Sequence, residues 1–570
     1  NQIASLKRVV NAYIYLNRFD KANIMLEILE MFSDKYRDND IDYFIKKSMV
    51  KIYLKKREIE KSLDILMNAR KKYLNNKYIS GEINLLLGEA FNKSYNYKKA
   101  LSCIDKAIKC FRKYNNREKS AKAFVIKGDI LSNLNKYKKS NYFYELAGNI
   151  FYELGKKDKI IDVLINRGVQ SELMGDYKDA FCLYIKAAKQ SRDIGYYEGE
   201  IDSYMNSGIV KRKMGDFSNA IKFYEKGYLL SKEFGLEHNI IKFLINLSLL
   251  YDSKGDYSQS IKYAKQSLKM LLKTKDSHGI ANLYNNIGTI YWHLSKYNRA
   301  LDNYKKSLSM FKEINDIPSI APVSHNIGLL EMSMGNMTEA IKLFKDSYNI
   351  YMEENNYTYV ISTLKSMGLL YLRKGDFAKS QRYYKNALQY VHRTDDRFEI
   401  LGLYIGISSL YLETGNLQKA YYYIRRTIAM LKNPRLNWYK GYIYLNILQY
   451  HCRKRNHYFI KKYIGKFIES PELLGDKELM CRYLIMIGKI KMDFDKIVLH
   501  KSGDEALEEA IKIAKKNNLL FFEAEAYYHL AMFRKREGDK EVFKKNLKKS
   551  LEIYKVIGNK KKVKLIKKYI

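Results

Sequence analysis

The most regularly spaced side chains able to do chemistry are uncharged. Asn166, Asn206, Asn246, Asn286 and Asn326 follow one another at 40-residue intervals, and Asn446 falls in the same column three intervals later. A carboxamide carries both an acceptor oxygen and a donor NH2. A row of them can bond the C=O and N–H groups of an extended backbone without reading its side chains. Each such bond nets about 0.5–1.5 kcal/mol, so useful affinity needs several. The same amides could instead bond the neighbouring repeat and stiffen the array, and the spacing leaves both roles open. Beside the column stand Arg212, Lys213, Trp292, His293 and Arg373, which would give a bound segment its sequence preference.

Other reactive types are sparse. His451, Cys452 and His457 are metal-ligand types lying close together, but they lack a fourth ligand and any known zinc spacing, so no metal is assigned. There is no G-x-x-x-x-G-K-[ST], no H-E-x-x-H and no G-x-S-x-G, so the reading is a non-enzyme without a cofactor. Five Cys without a C-x-x-C pair argue against a disulfide framework and for a reducing cytoplasm.

The elements that position the amides are written in the same period. Small residues recur every 40 positions from Ala100 through Ser140, Ala180 and Ala220 to Ala420. Three residues before each stands an apolar, usually aromatic side chain (Tyr97, Tyr137, Tyr177, Phe217), and twelve before it a Gly or Ser (Gly88, Gly128, Gly208, Ser248, Gly288). A mid-helix Gly costs about 1 kcal/mol against Ala, so its recurrence implies close approach of a second helix. The steps Gly215-Asp216-Phe217, Gly255-Asp256-Tyr257 and Gly375-Asp376-Phe377 suit a helix end followed by an Asp N-cap. Each unit therefore reads as helix, tight turn, helix.

These columns resemble the tetratricopeptide repeat, and Ala107, Ala147, Ala187 and Ala387 match its later Ala position. The usual repeat of about 34 residues ends in Pro; this chain lacks that Pro almost throughout, which places it nearer the long-repeat subclass. The resemblance implies an all-α, right-handed α-solenoid of about fourteen helical hairpins that binds a protein or peptide along its concave face. Asn ladders of this kind are known in such repeats, and the lack of any catalytic region suggests the scaffold or sensor arm of a larger signalling or regulatory protein. A first residue other than Met agrees with a chain cut from something longer, with effector domains outside it.

The period also organises the chain into two register-shifted units over 1–78, one of them around Asn17–Ala22. A regular array follows over 79–430, then degenerate units over 431–500 flanked by Pro434 and Pro471, and a last unit with a basic capping helix over 501–570. The 570 residues carry 103 Lys+Arg against 62 Asp+Glu, a net +41. Most of these cations lie between apolar columns, as solvated helix faces do. They are denser at Arg453, Lys454, Arg455, Lys461 and Lys462, and in the tail, where 540–570 holds twelve Lys and two Glu. The alternative reading is thus an anion-binding solenoid that contacts RNA or DNA. No membrane partner is expected, because the longest run without Asp, Glu, Lys or Arg, Ser277 to Ser295, is broken by Asn282, Asn285 and Asn286.

Overall fold

The computed structural model describes residues 2–15, 18–36, 38–56, 58–431, 434–468, 476–494, 497 and 500–570. Asn17 and Pro471 lie outside them. The described residues form 29 α-helices and two 3-10 helices, with no strand among them. The first 28 helices pair into fourteen hairpins, and the short helix Lys560–Ile566 closes the chain. The chain is an all-α solenoid.

Two compact units divide it. One comprises Asn1–Gln170 with Gln190–Gly199, the other Ser171–Lys189 with Glu200–Ile570. Within each, successive first helices of the hairpins touch one another (Tyr357–Arg373 on Arg397–Thr414, Lys477–Asp493 on Leu520–Glu537), whereas successive second helices hardly do. The first helices are therefore crowded on an inner face and the second helices splay on an outer one.

The turn chemistry matches the sequence pattern. Gly215 and Gly255 sit at φ 79° and 82°, a region that L side chains rarely adopt. The carboxylates of Asp216 and Asp256 then accept the backbone N–H of Asn219 and Gln259, capping the next helices.

The mid-helix glycines make room for a ring that the repeat pattern did not single out. A Cβ added at Gly288 would stand 2.6 Å from the Tyr304 ring, and one at Gly328 2.8 Å from Phe344. Tyr184, Tyr224, Tyr304, Phe344 and Tyr384, sixteen residues after their small residue, are among the largest fully buried side chains. One hairpin inverts the pair: Ser248 replaces Gly and the ring becomes Ala264, so the volumes stay complementary. The small residue twelve positions on does face the glycine, and the hydroxyl of Ser380 donates to the Gly368 carbonyl at 2.8 Å.

The second unit also closes on itself across a long sequence gap. Three consecutive turns, at Ser295, Gly335 and Gly375, rest on the C-terminal helices. Met332, Met337, Phe344, Met367 and Leu370 share one apolar cluster with Ile557, and Leu520, Phe521 and Ile553 pack against it. The Asn559 amide donates to the Arg373 carbonyl at 2.8 Å while its oxygen caps the last helix through Lys562 N–H. At the seam the Arg373 guanidinium lies 2.7 Å from Glu478, which also receives Arg482 at 3.1 Å.

Candidate functional site

Several of the polar pairs that tie adjacent first helices are one residue longer than the repeat. In the first unit the Asn133 amide donates to Asn92 at 3.0 Å. In the second, Lys213 pairs with Glu172 at 2.7 Å, Arg212 donates to the Ser253 hydroxyl at 3.1 Å, and His293 meets Asp252 at 2.9 Å. Each of these pairs spans 41 residues. The offset follows from neighbouring helices lying side by side with a small stagger, so a side chain at the end of one reaches the next. The sequence period predicts equivalent positions, not cross-links displaced by one, which is why Glu172, Asp252 and Ser253 were not legible.

The amide column proves heterogeneous. Asn206 and Asn286 are half-buried on first helices of the second unit and form no hydrogen bond with described residues. Asn166, in the first unit, is likewise half-buried and unbonded. Asn246 donates to the Lys242 carbonyl of its own helix at 3.0 Å, which leaves its oxygen free. Asn326 donates to Asn285 of the preceding hairpin at 3.1 Å.

Asn446 departs from the ligand role expected of it. It is 5% exposed, donates to the Ile405 carbonyl at 3.1 Å and the Ser408 hydroxyl at 2.7 Å, and accepts from Ser409 at 3.1 Å. Its amide protons and its oxygen are thus engaged by the neighbouring first helix. Arg373 likewise departs from its expected place beside a bound segment: at 3% exposure, with its charge on Glu478 and its plane over Phe521 and Phe522, it fastens the C-terminal seam.

The remaining flanking residues stay at the inner face. Lys213 and His293 are exposed beyond their carboxylate partners, and Arg212 and Trp292 are half-buried beside them. Trp292 also packs against the cluster around Tyr297 and Tyr304. From Asn206 to His293 the second unit thus presents open amides, cations and one indole.

His451, Cys452 and His457 do not assemble into a metal cage: no group of three His, Cys, Asp or Glu is placed to hold an ion among the described residues. The His451 ring stacks on Phe459 at 4.5 Å, and burial pushes the Cys452 thiol up to about 12. Arg453, Lys454, Arg455, Lys461 and Lys462 are all exposed. No described helix is long and apolar enough to cross a membrane.

Comparison with known proteins gives the repeat its name. The tetratricopeptide repeat family matches residues 201–273, 241–313 and 319–390, and a second tetratricopeptide repeat model matches 524–556. No curated protein matches the sequence. Among solved structures, the Rap protein complexed with competence and sporulation factor is 12% identical, covering 62% of this chain and 99% of that one at a TM-score of 0.46. Aspartyl phosphate phosphatase F from Bacillus subtilis is 13% identical over 61% of this chain and 93% of that one, at 0.42. The apo form of the quorum sensor NprR from B. thuringiensis is 14% identical over 61% and 98%, at 0.41. Likenesses this loose carry no residue roles across.

Proposed function

We propose that this array of tetratricopeptide repeats is a peptide-binding regulatory scaffold. Its first helices Tyr197–Lys213, Glu237–Lys254 and Ser277–His293 hold an extended segment of a partner. The observation that carries the reading is the pair of half-buried, unbonded amides of Asn206 and Asn286, with the free oxygen of Asn246 between them. Amides left open on a crowded inner face suit a ligand that brings its own backbone donors and acceptors. The Arg212 guanidinium, bonded to the Ser253 hydroxyl and to no carboxylate among the described residues, would favour a carboxylate-bearing segment. The reading rests on this chain's own inner face.

The double variant Asn206→Ala/Asn286→Ala tests it on an array of short random peptides. Binding above background by the wild type, lost in the variant at an unchanged melting temperature, is the expected result. Equal capture by both proteins sinks the amide role.

A further inference from the structure

The helices from Leu417–Met430 to His457–Ile468 are unlike the rest of the chain in charge and surface. From Gly415 to Ile468 there is no Asp or Glu, while Lys and Arg number twelve, in a protein with 62 acidic residues overall. The stretch therefore carries no carboxylate of its own, and none of Arg453, Lys454, Arg455, Lys461 and Lys462 forms an ion pair among the described residues.

Among these cations runs a continuous strip of rings. Tyr421 stacks on Tyr450 at 5.3 Å, Tyr450 meets His451 edge-on at 5.2 Å, His451 stacks on Phe459 at 4.5 Å, and Phe459 lies 6.4 Å from Tyr463. Tyr458 abuts Phe459 at 5.2 Å, and the Lys462 ammonium sits 5.8 Å from both rings. The strip joins the first two turns of helices Leu417–Met430 and His457–Ile468 to the end of Lys440–Arg453. Two of its members are open to solvent, Tyr421 at 46% and Tyr458 at 68%, while Tyr450, His451, Phe459 and Tyr463 are half-buried. The strip lies on the turn edge of the hairpins, the edge that the C-terminal helices cover at Gly335 and Gly375. At Gly415 a Cβ would meet nothing within 4 Å, so here the edge is uncovered.

We infer that this edge of the helices Leu417–Met430, Lys440–Arg453 and His457–Ile468 binds single-stranded nucleic acid, with bases on the rings and phosphates on the flanking cations. Every base has a flat face that stacks on Tyr, His or Phe whatever its sequence. Bases in a duplex are already stacked, so the rings select unpaired strands. An acidic peptide would use the cations and leave the rings idle. An anionic bilayer calls for a broad Leu, Phe or Trp face that sinks into the headgroups, and the exposed rings of the strip are Tyr. The site is separate from the peptide-binding face and stands or falls without it.

Fluorescence anisotropy of the full chain with a labelled single-stranded oligouridylate of about fifteen nucleotides tests the inference, with a duplex of equal length and phosphatidylserine vesicles as competitors. Tyr421→Ala/Tyr458→Ala is expected to weaken binding about tenfold or more, since one to two base stacks are lost. Replacing Arg453, Lys454, Lys461 and Lys462 by Gln is expected to flatten the log–log salt slope by about 3, at ~0.7 per phosphate contact. The same number of Lys→Gln changes at Lys540, Lys544, Lys545 and Lys548 removes equal charge from another exposed face and is expected to leave affinity unchanged. Any one of three results overturns the inference: no oligouridylate binding at low salt, an equal loss from the Lys540–Lys548 control, or displacement by duplex or vesicles more readily than by unlabelled strand. The ring variant carries a second readout, because exposed Tyr→Ala changes leave the melting temperature in place.

Discussion

Glu354 caps the end of helix Met337–Glu353 at 9% exposure, and its Oε1 finds no partner among the described residues. Burial, followed by the nearby charges of Asp316 and Glu353, raises its carboxyl to about 7. The unfolded chain releases this proton in the ordinary carboxylate range, so between about pH 4.5 and 7 the folded state holds the extra proton. Stability therefore falls as pH rises through that window, by about 1–3 kcal/mol from this group. Glu354→Gln is expected to raise the melting temperature at pH 8 and to change it little at pH 5; equal gains at both would show that the carboxyl does not titrate there. Packing makes an equally local prediction at Gly288. A methyl 2.6 Å from the Tyr304 ring forces the ring or the helix to move. Overpacking costs about 1–3 kcal/mol and the gain in helix propensity returns about 1. Gly288→Ala is thus expected to destabilise by up to about 2 kcal/mol in urea unfolding, although Ala is the better helix former. Stabilisation would refute the contact.

The hairpin was the most legible level of the structure. Period, Gly turn, Asp cap and small-residue column are local properties, and helices, turns and caps fall where those residues place them. What the sequence hides are relations between hairpins. Asn446 and Asn206 occupy the same column, yet one is sealed against Ile405 and Ser408 while the other is open, because the fit of the next hairpin decides which. Arg373 carries no mark in its own repeat that a glutamate 105 residues away will claim it. The ring strip was hidden for another reason: its members come from three helices and have no common period. Exchange between columns is testable at this scale. Ser248 with Ala264 shows that the glycine and ring positions share one volume. Gly288→Ser and Tyr304→Ala should therefore be non-additive, the double variant losing less than the two single losses combined. Simple additivity in chemical unfolding would mean that the two positions do not share space.

For the second unit taken whole, the seam between its central turns and its C-terminal helices matters most. Stacked repeats ordinarily interact only with their neighbours, and stability sums along the row. Here Glu478 binds Arg373 and Arg482 together, and the two cations more than offset burial to hold its carboxyl below the ordinary range. Glu478→Gln strands both cations and is expected to cost about 2–4 kcal/mol with partial solvent access allowed for. Because its folded value is depressed, the same contribution fades as acid protonates it. Hydrogen exchange should then quicken in helices Leu520–Glu537 and Lys540–Ile557 and also at the turns around Gly335 and Gly375. Faster exchange confined to helix Lys477–Asp493 would mean that the seam does not couple them. The seam also sets a clock for synthesis. Asn559 follows Arg373 by 186 residues, so at about 5–20 residues per second the turn is made some 10–40 s before its partner leaves the ribosome. Through that interval Met332, Met337 and Leu370 form an apolar ledge with its cover not yet translated. A nascent chain halted there would be an inviting client for a chaperone, and emergence of the segment from Leu520 to Ile557 would end the need for one.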